Sequence, residues 1–505
     1  MHINITLKTI NQAFDDCVRQ TPNKHFILHK DETYTYREVE RLSNGLCNFL
    51  GGCGVKKGER VCFILPRVPE LIIAFMAILK AGGVPVPVHY TMSKSAVREF
   101  IRSITPTVII VHEKLLKTLD NEILTLLQNP YIKTVLVGLS DITGFIPWKE
   151  VCYFLDNTET VTPTVNDIAY LNYTTGSTGK PKGAVATHAN IYWNTLSAVQ
   201  TMGIDNTDVH LCMFASFAHP HELFVRAIYT GGAIALVEEI NPKTMAREIL
   251  DKSITCMMGL APMFEMMNNH CSGYSLPFLK IAESGGMYTK PNIIKDFKRH
   301  FGIPVLSVWG STETTGIAIA NSPQNYREDG SMGRICPYYD IMILDEGGGQ
   351  VAPLQTGEIL ISGQGVIEAY YEGVEFPSMN GWYKTGDLGY KDEEGFVYFM
   401  ERNSGLLKIA GLKVYPLQVE IVILKCPGVK EVAVIGAYDR KRGEIPVAFV
   451  IKEEGHHINE LDIVKFCKNK IADYMIPKKI EFVADMPRIG SGKINKKAIK
   501  DSYNS

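Results

Sequence analysis

Short apolar runs alternate with amphipathic segments along the first 310 residues of this chain. A short apolar run bounded by turn residues predicts a buried strand, and an amphipathic segment predicts a helix. A helix is also predicted to begin at Asn241-Pro242, a capping residue followed by proline. This alternation predicts an α/β fold with a mainly parallel sheet. Between residues 165 and 310 the predicted strands are 168–173, 209–214, 233–237, 254–258, 279–282 and 305–308, with helices over 188–200 and 290–299.

The first 165 residues follow the same pattern, with strands predicted over 60–65, 84–88 and 108–111. The cluster Gly51-Gly52-Cys53-Gly54 precedes the first of these strands. A dinucleotide-binding loop follows a strand and opens a helix, whereas here the order is helix, glycines, strand. We therefore interpret the cluster as the end of a helix and a turn.

After residue 330 the pattern changes to strands separated by tight turns. Segments 345–349 and 392–395 combine acidic residues with glycine, which is typical of turns between β-strands. Residues 405–505 predict a compact α/β unit with strands over 432–436, 447–451 and 479–483 and a helix over 461–474. We expect a large N-terminal domain, residues 1–402, with parallel-sheet α/β subdomains plus a β-rich part. A small C-terminal α/β domain, residues 403–505, should follow.

Composition excludes several classes of protein. Hydrophobic residues make up 46% and charged residues 21% of the 505, so the chain is not intrinsically disordered. The formal net charge of −2 gives no electrostatic basis for binding nucleic acid or an anionic membrane. The longest strongly apolar stretch, 71–79, has nine residues, whereas a membrane-spanning helix needs about 20.

The cysteines and the N-terminus point to a cytoplasmic protein. None of the eleven cysteines forms a Cys-x-x-Cys pair or lies in a Cys/His cluster with zinc spacing. We expect reduced and mostly buried thiols. The first residues lack a basic flank followed by a long apolar region, so no secretory signal is expected.

Polar loops follow several predicted strands, namely 174–183, 216–221, 283–286 and 309–314. In open parallel sheets, ligands bind beyond the carboxyl ends of the strands, so we expect these loops to meet at one edge. Loop 174–183 holds three glycines, a run of hydroxyls and two lysines. Glycine-rich backbone, hydroxyls and ammonium groups suit a nucleotide polyphosphate. The loop is not a Walker A motif, because Pro181 follows Lys180.

Residues 173–183 closely resemble the signature loop of the AMP-forming adenylating enzymes, which include acyl-CoA synthetases, peptide-synthetase adenylation domains and firefly luciferase. Residues 309–314 resemble the aromatic-Gly-x-Thr-Glu motif of this superfamily, and Tyr383-Lys384-Thr385-Gly386-Asp387 matches its Tyr-x-Thr-Gly-Asp motif. Arg402, with Lys408, Gly411 and Glu420, resembles its hinge motif, and 487–493 resembles its C-terminal lysine motif. The resemblance covers about residues 10–500, and the chain is most like an acyl-CoA synthetase.

The resemblance implies a two-step reaction. A carboxylate attacks the α-phosphate of ATP and gives acyl-AMP and pyrophosphate, and then a thiol displaces AMP. ATP, Mg²⁺ and CoA, or the phosphopantetheine of a carrier protein, are the implied cofactors and partners. Lys493 would bridge the carboxylate and the α-phosphate, and Glu313 would bind Mg²⁺. Thr178, a residue of the phosphate loop, is the third candidate catalytic residue.

The resemblance also assigns the nucleotide contacts. Thr312 would bind the α-phosphate, Trp309 could stack on adenine, Asp387 would accept from both ribose hydroxyls, and Arg402 would contact ribose or phosphate. The β- and γ-phosphates would lie in the loop, and further residues would line the nucleotide site. The loop residues are Thr174, Thr175, Gly176, Ser177, Thr178, Gly179, Lys180 and Lys182, and the further residues are Gly286, Gly310 and Ser311.

Family members rotate a small, mobile C-terminal domain between the two steps. Their pivot is usually an aspartate two residues after the hinge arginine, whereas this chain has Ser404 there, followed by Gly405. A pivot needs backbone freedom, which Gly405 supplies, so rotation about Ser404 remains the expectation. Lys496, Lys497 and Lys500 are expected to be solvated.

The acyl pocket is expected to be apolar. Phe217 takes the place of the acidic residue that pairs with the ammonium group in enzymes for α-amino acids, so those substrates are disfavoured. The methionines of 256–267 occur at helical spacing, which fits core packing or a flexible pocket. The predicted pocket residues are Phe217, His219, Met258, Gly285, Gly286, Met287, Gly310 and Thr314.

Two readings of the acceptor stay open. A free-standing ligase would transfer the acyl group to CoA, and the alternative loads it onto a carrier protein. A third hypothesis, a catalytically inactive homologue that only binds ligands, conflicts with the presence of Lys493, Glu313 and Asp387. The substrate is expected to be an aliphatic or aromatic carboxylic acid.

Overall fold

A computed structural model gives the conformation of most of the chain. It describes residues 6–88, 94–117, 119–129, 131–140, 142–152, 160–175, 181–213, 220–239, 241–409, 412–439, 443–468, 470–488 and 494–504. Two compact units are present: residues 1–340 with 361–383, and residues 341–360 with 384–505. The predicted boundary after Arg402 lies inside the second unit, and the division into domains 1–402 and 403–505 stays a prediction.

A nine-stranded sheet forms the centre of the first unit. Its central strands are parallel, as predicted from the strand–helix alternation. Three neighbouring parallel strands, Cys256–Gly259, Ile281–Ser284 and Val305–Ser311, therefore end at the same edge. In spatial order the strands are Arg334–Ile335, Gly316–Ala320, Val305–Ser311, Ile281–Ser284, Cys256–Gly259, Val209–Cys212, Ala233–Leu236, His25–His29 and Glu32–Thr35.

Amphipathic helices accompany these strands. Asn241 caps one of them, and its side chain accepts from the amides of Lys243 and Thr244, as the Asn-Pro pair predicted. Met257, Met263 and Met267 are buried in the core between sheet and helices. The helices are Ile10–Gln20, Tyr36–Gly52, His188–Met202, Pro220–Thr230, Pro242–Asp251, Ala261–His270 and Pro291–Phe301.

A second, five-stranded parallel sheet follows the order Val84–Pro87, Arg60–Ile64, Val108–His112, Lys133–Val137 and Ile146–Pro147. Helix Pro69–Lys80 contains the longest apolar stretch, and every residue in it except Glu70 is buried. Within the described residues, every helix is too short or too polar to cross a bilayer. The other helices of this region are Lys94–Ile104, Glu113–Leu116, Asn121–Leu127 and Trp148–Val151.

The strand predicted over 168–173 does not join the large parallel sheet. It extends over Ile168–Thr175 and forms an antiparallel pair with Pro181–Thr187. The expectation that loop 174–183 follows a strand of that sheet was therefore wrong. The second strand was hidden because Pro181-Lys182-Gly183 is typical of a loop, whereas the following residues continue extended to the helix cap at Thr187.

Five strands lie between residues 339 and 402: Tyr339–Leu344, Gly357–Gly363, Ser378–Met379, Trp382–Lys391 and Val397–Arg402. Both predicted turns are present. Asp345 Oδ1 accepts from the amides of Gly347 and Gly349, and Asp392 Oδ1 accepts from the amides of Glu394 and Phe396.

The second unit continues with strands Leu407–Ile409 and Leu412–Val414 and helix Pro416–Ile423. A three-stranded sheet pairs Val429–Asp439, Gly443–Lys452 and Lys479–Phe482. The helix predicted over 461–474 is shorter, Glu460–Cys467, because Lys468 leaves the helical region with ψ at 136°. The last helix is Lys496–Asn504. All eleven cysteines are free thiols, and all except Cys53 are buried, as predicted.

Candidate active site

A tight turn joins strand Val305–Ser311 to the antiparallel strand Gly316–Ala320. The amide of Ser311 donates to Thr314 Oγ1 at 2.9 Å, and the amide of Thr314 donates to Ser311 Oγ at 3.2 Å. Gly310 permits this close approach, because a Cβ there would lie 2.2 Å from the carbonyl oxygen opposite. The end of the first strand carries the predicted nucleotide residues Trp309, Gly310 and Ser311, and the turn itself carries Thr312.

Buried side chains brace this turn from outside. Asn194 Nδ2 donates to the carbonyl of Ile317 at 2.9 Å, and the Tyr339 hydroxyl donates to the carbonyl of Thr314 at 2.7 Å. The Thr314 hydroxyl donates to the carbonyl of Gly316 at 2.7 Å, so it is used within the turn. These hydrogen bonds hold the turn in place. The predicted role of Thr314 in the acyl pocket stays a prediction.

Glu313, the predicted Mg²⁺ ligand, lies at this turn beside a buried tyrosine. The Tyr370 hydroxyl donates to Glu313 Oε1 at 2.5 Å, and the amide of Ile367 donates to the carbonyl of Glu313 at 2.9 Å. Lys182, a predicted phosphate ligand, has its Nζ 5.4 Å from the centre of the Tyr370 ring. The structure thus brings Glu313 and Lys182 into contact with the same side chain, that of Tyr370. Sequence reasoning missed Tyr370. The one local signal is the glycine-containing segment Gly363-Gln364-Gly365 shortly before it, which indicates a turn but no function.

The predicted phosphate loop connects the two strands of the Ile168–Thr175 hairpin. Thr174 pairs with Lys182 and Thr175 with Pro181 at the end of this ladder. Gly183 is needed because a Cβ there would lie 2.8 Å from the ring of Tyr173. The remaining loop residues, Gly176, Ser177, Thr178, Gly179 and Lys180, lie outside the described residues.

Part of the predicted acyl pocket follows strand Ile281–Ser284. Gly285 and Gly286 come directly after it, and Gly286 adopts a φ of +73°, where a Cβ would also lie 3.2 Å from Leu260. Met258 is buried on a neighbouring strand, with its sulfur 3.9 Å from Cys212 Sγ. Met287 packs against the methionine-rich core. The predicted pocket residues Phe217 and His219 lie outside the described residues.

Close to this strand is a buried cluster of charges that sequence reasoning missed. Arg226 Nη1 lies 2.7 Å from Glu283 Oε1, and the two side chains are 6% and 1% exposed. Burial raises the pKa of the nearby Glu222 carboxyl to about 7, although Arg226 opposes the shift. Burial also lowers the pKa of His210 to about 4. A buried carboxylate such as that of Glu283 requires a cationic partner. The sequence does not show which residue this partner is, because it lies far away in the chain.

In the second unit, the structure places Asp387 and Arg402 opposite each other on paired strands. Arg402 Nε lies 2.7 Å from Asp387 Oδ1. Thr385 anchors the strand, since its hydroxyl donates to the carbonyl of Ile359 at 2.7 Å and accepts from the amide of Asp387 at 3.0 Å. Gly386 has a φ of +70°, a conformation that favours glycine. The predicted ribose ligand and the predicted hinge arginine therefore form one charged group.

The predicted pivot Ser404 lies in a short 3₁₀ turn, Asn403–Gly405, directly after strand Val397–Arg402. Lys493 lies outside the described residues. The described residues on either side of it are joined, since the amide of Asn495 donates to the carbonyl of Pro487 at 2.7 Å. Its role stays a prediction.

Lys496 corrects an expectation from the sequence. Its Nζ lies 2.8 Å from Glu420 Oε1 and 3.6 Å from Glu401 Oε2, and both carboxylates are buried. It is therefore an ion-paired residue and not a freely solvated one. Its partners are distant in sequence, which is why spacing could not reveal them.

The residues around Glu313 fit a magnesium ion carried by a phosphate substrate. Glu313 Oε1 accepts from Tyr370, and in the described part of the chain Oε2 has no hydrogen-bond partner. No group of three His, Cys, Asp or Glu side chains within the described residues could form a metal site. Mg²⁺ is commonly held by one or two carboxylates plus substrate phosphates, so this donor set suits it.

Comparison with known families agrees with this geometry. Residues 14–371 match the family model described as AMP-binding enzyme, and residues 418–493 match the AMP-binding enzyme C-terminal domain. The chain therefore belongs to the AMP-binding enzyme family, which confirms the resemblance stated from the motifs.

Two relatives within this family are CoA ligases. The chain is 27% identical over 521 residues to a long-chain-fatty-acid–CoA ligase of Bacillus subtilis (strain 168), covering 96% of this chain and 93% of that enzyme. It is 27% identical over 493 residues to a 2-succinylbenzoate–CoA ligase of Listeria monocytogenes serotype 4b (strain F2365), covering 96% and 98%. These likenesses confirm the predicted class, the AMP-forming acid–thiol ligases.

A solved structure confirms the fold class. The crystal structure of the anthranilate CoA ligase AuaEII in complex with anthranoyl-AMP superimposes with a TM-score of 0.90. The sequences are 24% identical, and the match covers 99% of this chain and 98% of that one.

Proposed function

We propose that this enzyme activates an apolar carboxylic acid with ATP and transfers the acyl group to CoA. The observation that carries the proposal is the meeting of Lys182 and Glu313 at Tyr370. One strand supplies an ammonium group for phosphate and a distant turn supplies a carboxylate for the cation. A magnesium–polyphosphate substrate needs these two charges at one place.

In the first step, an oxygen of the acid bonds to the α-phosphorus of ATP. The bond from that phosphorus to the bridging oxygen breaks, and pyrophosphate leaves with the electron pair. Lys182 and the loop residues bind the leaving phosphates, Thr312 contacts the α-phosphate, and Lys493 offsets the charge that develops there. Mg²⁺ bound with ATP neutralises phosphate charge, and Glu313 is the residue that would hold it.

In the second step, the sulfur of CoA bonds to the acyl carbon, and the proton of the thiol passes to solvent. The bond from the acyl carbon to the phosphate oxygen breaks, and AMP leaves with the electron pair. Asp387 and Arg402 hold the ribose in both steps, because the nucleotide stays bound. We place the change between steps at the turn Asn403–Gly405, where Ser404 replaces the usual aspartate.

The proposed acid is aliphatic or aromatic. Met258 and Met287 lie near the ends of neighbouring strands, and polarisable apolar side chains at that edge support an apolar substrate. The two relatives are named for a long-chain fatty acid and for 2-succinylbenzoate, and both are CoA ligases. CoA is accordingly the proposed acceptor, and transfer to a carrier protein is an outcome that the test can reveal.

The experiment is a measurement of pyrophosphate release with MgATP across a panel of fatty and aromatic acids, with and without CoA. We expect release with apolar acids, followed by acyl-CoA when CoA is present. Glu313→Gln should lose release, whereas Glu454→Gln, an exposed carboxylate of the second unit, should retain it. Release without acyl-CoA would favour a carrier protein. Equal release by wild type and Glu313→Gln would contradict the proposed cation site.

A further inference from the structure

The phenol of Tyr370 contacts two groups of opposite charge. Its hydroxyl donates to Glu313 Oε1 at 2.5 Å, and its ring centre lies 5.4 Å from Lys182 Nζ. The side chain is 5% exposed and packs in a small apolar cluster with Ala184 and Ile367. Tyr370 therefore contacts, from a fixed position, the two residues to which the proposed function assigns cation and phosphate.

The backbone around Tyr370 is attached to both of these partners. It forms an isolated bridge with Ala184, two residues after Lys182, and the amide of Val185 donates to the carbonyl of Ala369 at 3.3 Å. On the other side, the amide of Ile367 donates to the carbonyl of Glu313 at 2.9 Å. The segment around Tyr370 thus joins the phosphate hairpin to the metal-ligand turn.

This arrangement matters because a free ammonium group and a nearby free carboxylate tend to pair directly. A direct pair would occupy the two charges that MgATP needs. Among the described residues, no ion pair joins Lys182 to Glu313, and each of them contacts the phenol of Tyr370 instead. A ring face attracts the ammonium group, and a hydroxyl satisfies one carboxylate oxygen while the other stays available.

The hydroxyl of Tyr370 is suited to fix one oxygen of Glu313. A phenol carries a single proton, and here the buried side chain donates it to Glu313 Oε1. Residues that orient a metal ligand in this way commonly change metal affinity or activity by roughly 10–100-fold when mutated.

We infer that Tyr370 is a positioning residue that holds Glu313 with one oxygen directed to the cation of MgATP and keeps Lys182 from pairing with it. The inference rests on the proposed function, because it assumes that Glu313 binds this cation. It does not place Tyr370 in contact with substrate.

The test is a binding experiment on the full chain. The dissociation constant of α,β-methylene-ATP is measured by calorimetry with saturating Mg²⁺ and with EDTA, and the ratio gives the coupling between metal and nucleotide. Tyr370→Phe removes only the hydroxyl, and we expect the coupling to fall about tenfold. Binding without metal should change by less than about threefold.

Tyr339→Phe is the matched control, because its hydroxyl braces the same turn through the carbonyl of Thr314. We expect it to lower thermal stability while the coupling stays within about twofold of wild type. An equal loss of coupling in both variants would show a merely structural role and overturn the inference.

Glu313→Gln separates failure of the inference from failure of the proposed function. We expect it to lose most of the coupling, and Tyr370→Phe should cause no further loss in that background. If Glu313→Gln keeps the coupling, both the cation site and the inference are wrong. If Glu313→Gln loses it and Tyr370→Phe keeps it, only the inference is wrong.

Discussion

Asp387 and Arg402 are partners across two antiparallel strands, and Arg402 Nε lies 2.7 Å from Asp387 Oδ1. The carboxylate residue is 1% exposed, whereas the arginine side chain is 59% exposed. The guanidinium group thus covers a buried charge from the solvent side. Arg402 thus fixes the orientation of the Asp387 carboxylate, the group to which the proposed function assigns the ribose.

The first prediction concerns this carboxylate. Asp387→Asn keeps the shape of the side chain and replaces one charged acceptor oxygen by an amide. Hydrogen bonds to charged groups contribute about 1.5–3 kcal/mol, so AMP should bind roughly 10–150-fold more weakly. Calorimetric titration with AMP measures the change. Unaltered AMP affinity in a folded variant would remove Asp387 from the nucleotide site.

The second prediction concerns the buried pair of Arg226 and Glu283. Arg226→Met leaves the buried carboxylates Glu283 and Glu222 without their cation. Removing one partner of a buried ion pair costs about 3–5 kcal/mol, so the free energy of unfolding should fall by that amount. Urea denaturation followed by tryptophan fluorescence measures it. The double variant Arg226→Met with Glu283→Gln should recover part of the lost free energy of unfolding. If the double variant is as unstable as Arg226→Met alone, the unpaired charge of Glu283 is not the cause.

The third prediction concerns pH and Glu222. Its pKa is raised from about 4.5 to about 7 by burial, so the folded state holds this proton more tightly than the unfolded chain. The stabilising effect of protonation is therefore present at low pH and disappears as pH rises from about 4.5 through about 7. Glu222→Gln is neutral at every pH and lacks this dependence. The stability of wild type relative to Glu222→Gln should decline across this window and level off above it.

Subtracting the free energy of unfolding of Glu222→Gln from that of wild type at each pH removes the contributions of all other titrating groups. The lowered pKa values of His188 and His210, both about 4, act in the opposite direction and are present in both. A constant difference in free energy of unfolding between pH 5 and pH 8 would show that Glu222 has an ordinary pKa.

Local patterns predicted much of the fold because parallel strands and their helices are encoded by neighbouring residues. The strand Ile281–Ser284 and the helix cap at Asn241 follow from apolar runs and capping chemistry. The hairpin strand Pro181–Thr187 was missed because proline and glycine at its start indicate a loop. Tertiary pairing stabilised an extended segment that local propensity did not favour.

In the candidate site too, local sequence motifs predicted single residues but not their distant partners. Glu313, Lys182, Asp387 and Arg402 could be predicted as site residues because they lie in ordered motifs. The Tyr370 hydroxyl donates to Glu313, 57 residues away in sequence, and Arg226 pairs with Glu283 across the same separation. Such partners are set by packing between distant elements, which spacing within one segment does not encode. Lys496 was assigned to solvent for the same reason, because its carboxylates lie on other elements.

The central claim is that this chain forms an acyl-adenylate with the help of Lys493. The most direct measurement compares Lys493→Ala with wild type in two separate assays: pyrophosphate release from ATP and an apolar acid, and CoA transfer from a supplied acyl-adenylate. Loss of a group that stabilises transition-state charge costs roughly 10²–10³ in rate, so the first assay should fall by that factor while the second stays within about threefold. Lys497→Ala, an exposed lysine on the last helix, should leave both rates unchanged. An unchanged rate of pyrophosphate release in Lys493→Ala would contradict the account.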